Sequence, residues 1–172
     1  MVSPTYDLTP DVLRSAFAKF PSGVAALAAL DSGSPVGLVA SSFTSVSLQP
    51  ALASVCIAKT STTWPRLRLA PRIGLSILAE QHGAVARALA GQGTDKFACI
   101  RWEPTKEGAV FVPDSCLWLE TRLEREVTAG DHDIALLLIE AVWSYQDVEP
   151  LVFYASGFRR LRQPPGRPGG EG

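Results

Sequence analysis

Hydroxyl side chains are concentrated in two short stretches of this sequence. Residues 41–47 carry five hydroxyls and one aromatic side chain, Phe43, and residues 58–63 carry four hydroxyls and Lys59. The first stretch offers neutral hydrogen-bonding groups that suit the edge of a flat ring, whereas the cation and hydroxyls of the second suit a phosphate. A ring and a phosphate together are the outline of a flavin nucleotide, so a flavin is the first ligand that these residues predict.

The spacing of the two stretches indicates that they belong to one site. The apolar run at residues 52–57 has the length of a single strand, which predicts a hairpin with a polar stretch on either side. Serine- and threonine-rich runs also end strands and cap turns, and either stretch alone is more often structural than ligand-binding. Because two such stretches flank one strand, we interpret them together as a ligand site.

Individual residues of the two stretches have distinct expected roles. In the first, hydroxyls and backbone amides are predicted to hydrogen-bond the pyrimidine edge and ribityl chain of a flavin, while Phe43 either borders the ring or packs in the core. In the second, a short helix begins near Trp64, and a helix N-terminus beside hydroxyls and a cation favours a phosphate. The residues are Ser41, Ser42, Thr44 and Ser45 in the first stretch and Lys59, Ser61 and Thr62 in the second, with Lys96 as a further candidate cation or an ordinary surface lysine.

Composition and charge limit the classes of protein to which this chain can belong. With 172 residues, 47% hydrophobic and 19% charged, the chain has the size of a single domain with a substantial core. The 16 basic and 17 acidic residues give a net charge of -1, which argues against nonspecific nucleic-acid binding, although Arg159, Arg160 and Arg162 form a local basic patch. No apolar run approaches the roughly 20 residues of a membrane span, and the N-terminus lacks the features of a secretion signal, so we expect a cytoplasmic protein.

The number and spacing of the cysteines and histidines predict neither disulfide bonds nor a metal site. Cys56, Cys99 and Cys116 are odd in number and widely spaced, which is typical of reduced, mostly buried thiols. Cys56 lies just before the second hydroxyl stretch and is interpreted as a small apolar filler or as a neighbour of the ring. Two histidines exclude a multi-histidine metal centre, and no metal is expected.

Hydrophobic periodicity predicts a chain in which strands outnumber helices. Thr9 is a predicted N-cap with Pro10 at the first helical position, and the apolar face of the helix that follows is expected to pack in the core. Residues 134–143 are compatible with helix or strand and are interpreted as a strand because a turn precedes them. The helix face comprises Val12, Leu13, Ala16, Phe17 and Phe20; other strands are predicted at 24–30, 36–40, 52–57, 73–78, 117–124 and 151–154, and helices at about 64–70 and 80–89.

The order of these elements favours a closed or nearly closed β-barrel with helical inserts. Strands and helices do not alternate regularly, which argues against a doubly wound sheet, and there is no Gly-x-Gly-x-x-Gly fingerprint of Rossmann-type nucleotide binding. Residues 1–162 are predicted to form this domain. Residues 163–172 are rich in proline and glycine and are expected to be a disordered tail.

Several motifs, in their order and spacing, resemble those of one known family. Together they are similar to the short-chain flavin reductases of two-component monooxygenases, which have a flavin reductase-like domain with the FMN-binding split-barrel fold. The similarity runs from about Leu13 to Leu161. The motifs are FPSGV at 20–24, SSFTSVSLQP at 41–50, AKTST at 58–62, DKF at 95–97, GDH at 130–132 and PLVFY at 150–154, followed by Gly157 and Arg159.

The resemblance implies a fold, an activity and a site. The fold is a mainly β, antiparallel, Greek-key-like split barrel with a few short helices. The activity is hydride transfer from NADH, or from NADPH, to FMN or FAD, with reduced flavin diffusing to a partner monooxygenase. A homodimer is also implied. The matching motifs imply flavin contacts from Ala58, Lys59, Lys96, Phe97 and Tyr154. They also imply that His132 has a catalytic role or contacts the nicotinamide. On residue chemistry alone, His132 could equally be a structural histidine that hydrogen-bonds within its own turn.

Departures from the family pattern leave the choice of flavin open. Ser76 stands where many relatives have asparagine, at a position expected to contact the ribityl chain or the phosphate, whereas Thr121 and residues 138–142 differ within strands and change packing. The sequence does not choose between FMN and FAD, or between NADH and NADPH. Two other functions share the fold: a flavoprotein that retains its flavin and acts directly on an organic substrate, and a non-enzymatic flavin- or haem-binding protein.

Overall fold

The computed structural model describes residues 4–93 and 95–161, and strands dominate within these ranges. Segments that begin with Pro10 or contain Pro65 in the first turn form helices, because the φ angle of proline is already helical. The helices are α1 (Pro10–Phe17), α2 (Trp64–Leu67) and α3 (Gly83–Ala90), the last preceded by a 3₁₀ turn (Glu80–His82). The strands are β1 (Ser22–Gly23), β2 (Ala25–Asp31), β3 (Ser34–Ala40), β4 (Thr44–Leu48), β5 (Ala51–Ala58), β6 (Ile73–Ile77), β7 (Glu103–Pro104), β8 (Val110–Phe111), β9 (Leu117–Ala129), β10 (His132–Ser144), β11 (Val152–Tyr154) and β12 (Gly157–Arg159).

Seven strands form one antiparallel sheet in the order β3-β2-β6-β9-β10-β5-β4, and β1-β11-β12 and β7-β8 form two small additional sheets. The large sheet curls on itself, because Val39 of β3 lines the same groove as Ile57 of β5 although four strands lie between β3 and β5. A sheet curled in this way encloses a core as a barrel does. The prediction of a mainly β, antiparallel barrel with a few short helices is confirmed.

Strand β2 is buried on both faces. Ala25 and Leu27 belong to an apolar cluster inside the curled sheet, which we call the interior cluster, while Ala26 and Ala28 belong to a second cluster beside α3 and β8, the helix-side cluster. The split arises because successive side chains of a strand point to opposite faces. These two clusters hold the ends of β3, β5 and α3, which form the candidate site.

The apolar face of α1 does not pack in the core, so this prediction is wrong. No residue of the helix is buried; Phe17 is 71% exposed, and Phe20, just beyond the helix, is 77% exposed. A hydrogen bond from the amide of Ala155 to the carbonyl of Ala18 (2.8 Å) ties the helix end to the body of the protein. Amphipathic spacing shows that a helix has an apolar partner but does not identify it, and here the sheet fills the core without α1.

The segment compatible with helix or strand is the strand β10, as interpreted from the preceding turn. Gly130 and Asp131 form that turn, and His132 is the first strand residue, paired with Ala58 of β5. Strand β12 was not predicted. Its hairpin with β11 turns through Ala155 and Ser156 at positive φ (49° and 58°), where Asn-Gly is the usual signal, so the turn is not apparent in the sequence.

Two of the three cysteines are exposed, contrary to the expectation of mostly buried thiols. Cys56 and Cys99 are exposed and Cys116 is partly buried, and all three thiols are free. Cys56 points outward from β5 because its neighbours Val55 and Ile57 point into the core.

Several expectations concern the ends of the chain and its relation to membranes. The tail at 163–172 and Arg162 of the basic patch lie outside the described residues. No helix within 4–93 and 95–161 is both long and apolar enough to cross a membrane.

Candidate functional site

Three neighbouring depressions lie around the ends of β3, β5 and α3. The first, the hydroxyl groove, has a volume of about 370 Å³ and lies between the β5–α2 connection and the segment after α3. Leu38, Val39 and Ile57 give it an apolar floor. Its polar residues are Thr60, Ser61, Thr62, Thr63, Gln92 and Lys96.

The second depression, the apolar groove, adjoins the first through Val39 and Ala90, which line both. It has a volume of about 480 Å³ and is mainly apolar. Such a surface suits a flat ring system better than a charged ligand. Its other lining residues are Val24, Ala40, Ser41, Ala86, Arg87, Phe153, Ser156, Gly157 and Phe158.

The third depression, the histidine cleft, adjoins the apolar groove through Ser41, Phe153 and Ser156. It has a volume of about 780 Å³ and is lined by His132 together with the apolar side of α1. The three depressions adjoin one another through these shared residues, and together we call them the trough. The hydroxyl groove is its polar part, the apolar groove adjoins both of the others, and the histidine cleft contains His132.

Lys96 brings an ammonium group to the hydroxyl groove. Its Nζ donates to the carbonyl oxygen of Leu89 (3.0 Å) and to the hydroxyl of Thr63 (3.3 Å), and partial burial lowers the pKa of Lys96 below its ordinary value. None of the ion pairs within the described residues includes Lys96. A partly buried cation without an anionic partner favours the binding of an anion such as phosphate.

The hydroxyls around Lys96 come from the connection between β5 and α2. Residues 60–63 all line the groove, and the Oγ of Ser61 also accepts a hydrogen bond from the amide of Trp64 (3.1 Å). Helix α2 has only four residues, so its dipole is small. The sequence analysis combined the helix N-terminus with hydroxyls and a cation. Of these three contributions, the structure places the hydroxyls and Lys96 in the groove, and the helix N-terminus is weak.

Ser42 fastens the first hydroxyl stretch to β5. Its Oγ accepts a hydrogen bond from the amide of Cys56 (2.8 Å) and donates to the carbonyl oxygen of the same residue (3.2 Å). Strand β4 pairs with β5 only as far as Ser54, so beyond this point the side chain of Ser42 takes the place of a neighbouring strand. The Ser42 hydroxyl is thus engaged within the protein, whereas Ser41 lines the trough.

The rest of the first stretch divides between loop and strand. Thr44 and Ser45 are exposed residues of β4 and line none of the three depressions. Phe43 is partly buried against the interior cluster, as one of its two interpretations had it. Within the described ranges, the amides of residues 41–43 donate to no carbonyl oxygen, and Ser41 of this loop lines the trough.

Ser76, Phe97 and Tyr154 lie outside the trough. Ser76 is 1% exposed and accepts a hydrogen bond from the amide of Val112 (3.1 Å), which gives its hydroxyl a structural role in β6. Phe97 is buried in the helix-side cluster. Tyr154 is exposed at the end of β11, and its neighbour Phe153 lines the trough instead, because adjacent strand residues face opposite sides.

Lys59, directly after β5, lies beside the turn that precedes His132. Ala58 lines the hydroxyl groove and is paired with His132, which lines the histidine cleft. The Nζ of Lys59 donates to the carbonyl oxygen of Gly130 (2.7 Å), and Lys59 is not among the residues that line the hydroxyl groove. The structure therefore brings Lys59 to the turn that carries His132 and not to the hydroxyls with which it was predicted to hold a phosphate.

Sequence reasoning missed Arg87 and Phe153 as lining residues. The guanidinium of Arg87 lies 5.7 Å from the centre of the Phe158 ring, a cation–π distance, and Phe153 makes an edge contact with the same ring at 5.7 Å between centroids. The signals available were positional. Phe153 adjoins the predicted Tyr154 on a strand, and Arg87 lies in the helix predicted at about 80–89.

Comparison with known proteins identifies the family. The sequence profile of the family described as flavin reductase like domain matches residues 17–162. The chain belongs to this family. The resemblance inferred from the motifs is therefore confirmed.

Curated relatives match most of the chain. It is 37% identical over 128 residues, 74% of this chain, to the probable flavin reductase of Rhizobium meliloti, and it spans 41% of the length of that relative. It is 35% identical over 151 residues to the actinorhodin polyketide dimerase of Streptomyces coelicolor, covering 87% of this chain and 85% of the relative. It is 29% identical over 147 residues to the flavin-dependent monooxygenase reductase subunit HsaB of Rhodococcus jostii, covering 86% and 75%.

A solved structure shows the same fold. The NADH:FAD oxidoreductase SgcE6 of Streptomyces globisporus, in complex with NAD and FAD fragments, aligns with a TM-score of 0.87 and 31% identity. The alignment covers 93% of this chain and 98% of that chain. The flavin reductase-like family and the split-barrel architecture are thus supported by sequence and by structure.

Proposed function

We propose that this flavin reductase-like protein is an NAD(P)H:flavin oxidoreductase that transfers hydride from NADH or NADPH to FMN or FAD and supplies reduced flavin to a separate monooxygenase. The observation that carries the proposal is the trough, whose three adjoining parts contain Lys96, an apolar surface and His132. The names of two relatives support it, one an NADH:FAD oxidoreductase and one the reductase subunit of a flavin-dependent monooxygenase.

The residues of the trough fit a flavin nucleotide. The ammonium of Lys96 and the hydroxyls of residues 60–63 would hold a phosphate, the apolar groove would take the ring, and the amides of residues 41–43 would donate to its polar edge. Amide donors at that edge also favour negative charge on a reduced ring. When both are bound, the nicotinamide supplies a hydride and the flavin accepts it, so the protein contributes binding and orientation and needs no nucleophile.

His132 is the residue that we assign to the nicotinamide. Its side chain is 44% exposed and lines the histidine cleft, whereas Lys96 lines the hydroxyl groove. We expect His132→Ala to raise the KM for NADH or to lower turnover, and to leave flavin affinity unchanged, because the hydroxyl groove does not include His132. Steady-state kinetics and flavin titration of the variant measure both quantities, and kinetics equal to those of the wild type would remove the assignment.

The proposed activity is tested by following NADH oxidation by the purified protein without flavin, then with added FMN, then with added FAD. Turnover that saturates with one free flavin would establish a flavin reductase and identify its flavin. Repeating the assay with NADPH identifies the nicotinamide. Absence of turnover with every pair of nucleotides would contradict the proposal.

A second candidate function is a split-barrel protein that retains its flavin and acts directly on an organic substrate. The observation that favours it is the match to a relative named as a polyketide dimerase, at 35% identity over 85% of that relative. Gel filtration distinguishes the candidates, because a reductase that supplies flavin releases it, whereas a direct-acting flavoprotein elutes with flavin bound. Retained flavin together with no NADH turnover would favour the second candidate.

We also infer that the protein is a homodimer. The support is the uncovered apolar side of α1 and the exposed edge strand β4, whose Val46 and Leu48 are also exposed. Unpaired edge strands and exposed aromatic residues are commonly covered by a partner.

A further inference from the structure

The turn between β9 and β10 is held at two points by Lys59. The Nζ of Lys59 donates to the carbonyl oxygen of Gly130 (2.7 Å), and the backbone amide of Lys59 donates to the carbonyl oxygen of Asp131 (3.0 Å). Lys59 follows directly after Ala58, which is paired with His132 in the sheet. Side chain and main chain of one residue therefore fix the two residues that precede His132.

Asp131 in turn fixes the ring of His132. The Nδ1 of His132 lies 2.8 Å from the Oδ1 of Asp131. The hydrogen bond with His132 is the main cause of a lowered pKa of Asp131, and the charge of Lys59 adds a smaller effect in the same direction. An ionised carboxylate can only accept, so the proton of a neutral ring must lie on Nδ1, and the Nε2 atom is the nitrogen left for a ligand.

The Asp131–His132 contact depends on the turn. The side chain of Asp131 is 94% exposed, and a solvent-exposed pair of this kind contributes little on its own. A flexible turn would let the two side chains separate. The two hydrogen bonds from Lys59 restrain the backbone of Gly130 and Asp131, and with it the contact between Asp131 and His132.

We propose that Lys59 is a positioning residue for His132, which holds the β9–β10 turn so that Asp131 keeps the histidine in the Nδ1–H tautomer with Nε2 facing the histidine cleft. The proposal rests on the proposed function for the contact with nicotinamide, and it replaces the expected role of Lys59 in binding phosphate. The two lysines of the site then have different roles, because Lys96 acts on the flavin and Lys59 acts on the nicotinamide through His132.

The tautomer of His132 can be measured without any ligand. Long-range proton–nitrogen NMR correlations at alkaline pH, where imidazoles are neutral, distinguish the two tautomers. The chain has 2 histidines, and His82 serves as the internal reference: its Nδ1 accepts from the amide of Ala79 (3.1 Å), so its proton must lie on Nε2. We expect opposite tautomers in the wild type, and in Lys59→Met a change at His132 with His82 unaltered.

Kinetics of the same variants test the consequence. We expect Lys59→Met to raise the KM for NADH or to lower turnover, with flavin affinity unchanged. The change should reach at most about a hundredfold, the effect of misplacing a contact group by about 1 Å. Lys59→Arg, which keeps a cationic donor, should recover part of the activity and the Nδ1–H signal. Lys106→Met, at an exposed lysine of a remote turn, is the matched control.

The outcomes separate this proposal from the proposed function. An unchanged His132 tautomer in Lys59→Met would overturn the positioning role, and so would a loss of flavin affinity with an unchanged KM for NADH, because that result would make Lys59 a phosphate ligand. A wild type that shows the Nδ1–H tautomer but does not oxidise NADH with any flavin would contradict the proposed function and leave the positioning of His132 intact.

Discussion

Lys96 is the charged residue on which binding at the hydroxyl groove should depend. Its ammonium group is partly buried and has no carboxylate partner within the described ranges, so a bound phosphate would be its principal counter-charge. We expect Lys96→Met to weaken flavin binding by about tenfold or more, since a hydrogen bond to a charged group contributes about 1.5–3 kcal/mol. Flavin titration followed by fluorescence measures this change.

The comparison for Lys96→Met is Lys106→Met, which removes an equal charge from an exposed turn and should leave flavin affinity unchanged. Inorganic phosphate provides a second check. It should compete with FMN for binding to the wild type, and it should no longer compete when Lys96 is replaced. Equal flavin affinity in the two variants would contradict the assignment of the phosphate end.

Ser42 and Ser45 were equally strong candidates in the sequence, and the structure separates them. The Ser42 hydroxyl makes two hydrogen bonds to the backbone of Cys56, whereas Ser45 is an exposed residue of β4. We expect Ser42→Ala to destabilise the protein by about 0.5–1.5 kcal/mol, because its exposed hydrogen bonds to Cys56 would be lost, and to weaken flavin binding by loosening the loop. Urea unfolding and flavin titration should show little change for Ser45→Ala; similar results for both variants would contradict the distinction.

The sequence was sufficient to predict which types of residue form the site, but not which individual residues face the ligand. Hydroxyls beside a strand and a nearby lysine indicated a phosphate end, and hydroxyls and Lys96 do meet there. Which lysine and which serine face the ligand depended on strand register and on distant partners such as Gly130 and Cys56. A shift of one position along a strand reverses the side that a residue faces, which is why Phe153 lines the trough and Tyr154 does not.

The 3₁₀ turn before α3 contains a buried histidine that should make stability depend on pH. His82 is 8% exposed, and burial is the main cause of its lowered pKa; the nearby charge of Asp114 and a hydrogen bond to Pro113 act in the opposite direction and are weaker. Below about pH 6.5, an unfolded chain therefore binds a proton that the folded protein resists. The free energy of unfolding should be highest above this pH and fall as the pH drops through it.

Urea unfolding at several pH values between about 7 and 5 measures this effect. His82→Gln should show a shallower fall with decreasing pH than the wild type, because glutamine does not titrate. His132→Gln is the matched variant, since it removes the other histidine at an exposed position. The same pH dependence in the wild type and in His82→Gln would show that His82 does not cause it.

At the scale of elements, the strands were predicted well and the position of α1 was not. The strand patterns record burial on one or both faces, so β2, β6, β9 and β10 were expected close to their positions. The spacing of apolar residues in α1 predicts an apolar face just as clearly. It does not identify what covers that face, because the same spacing is found whether the partner is the core, a ligand or another molecule.

Considered as a whole, the molecule leaves an apolar surface uncovered at the trough. Phe17 and Phe20 are both mostly exposed while they line the histidine cleft beside His132. Leu48 on the edge strand β4 is 96% exposed. Monomeric proteins rarely leave several large apolar side chains exposed in this way. The histidine cleft is therefore the part of the trough that we expect another molecule to cover.

If a second copy of the chain covers the cleft, substitution of the exposed phenylalanines should dissociate the dimer without unfolding the protomer. Burial of a phenylalanine contributes about 2 kcal/mol, and a symmetric dimer buries two copies of each residue. Phe17→Ser and Phe20→Ser should therefore each raise the dimer dissociation constant by roughly a thousandfold. Light scattering during gel filtration measures the mass, and circular dichroism shows whether the fold is retained, as expected for positions outside the core. Phe17→Leu should preserve the dimer, because it keeps an apolar side chain. A wild type that is monomeric at micromolar concentration would contradict the homodimer, and the apolar side of α1 would then be left to a ligand of the cleft.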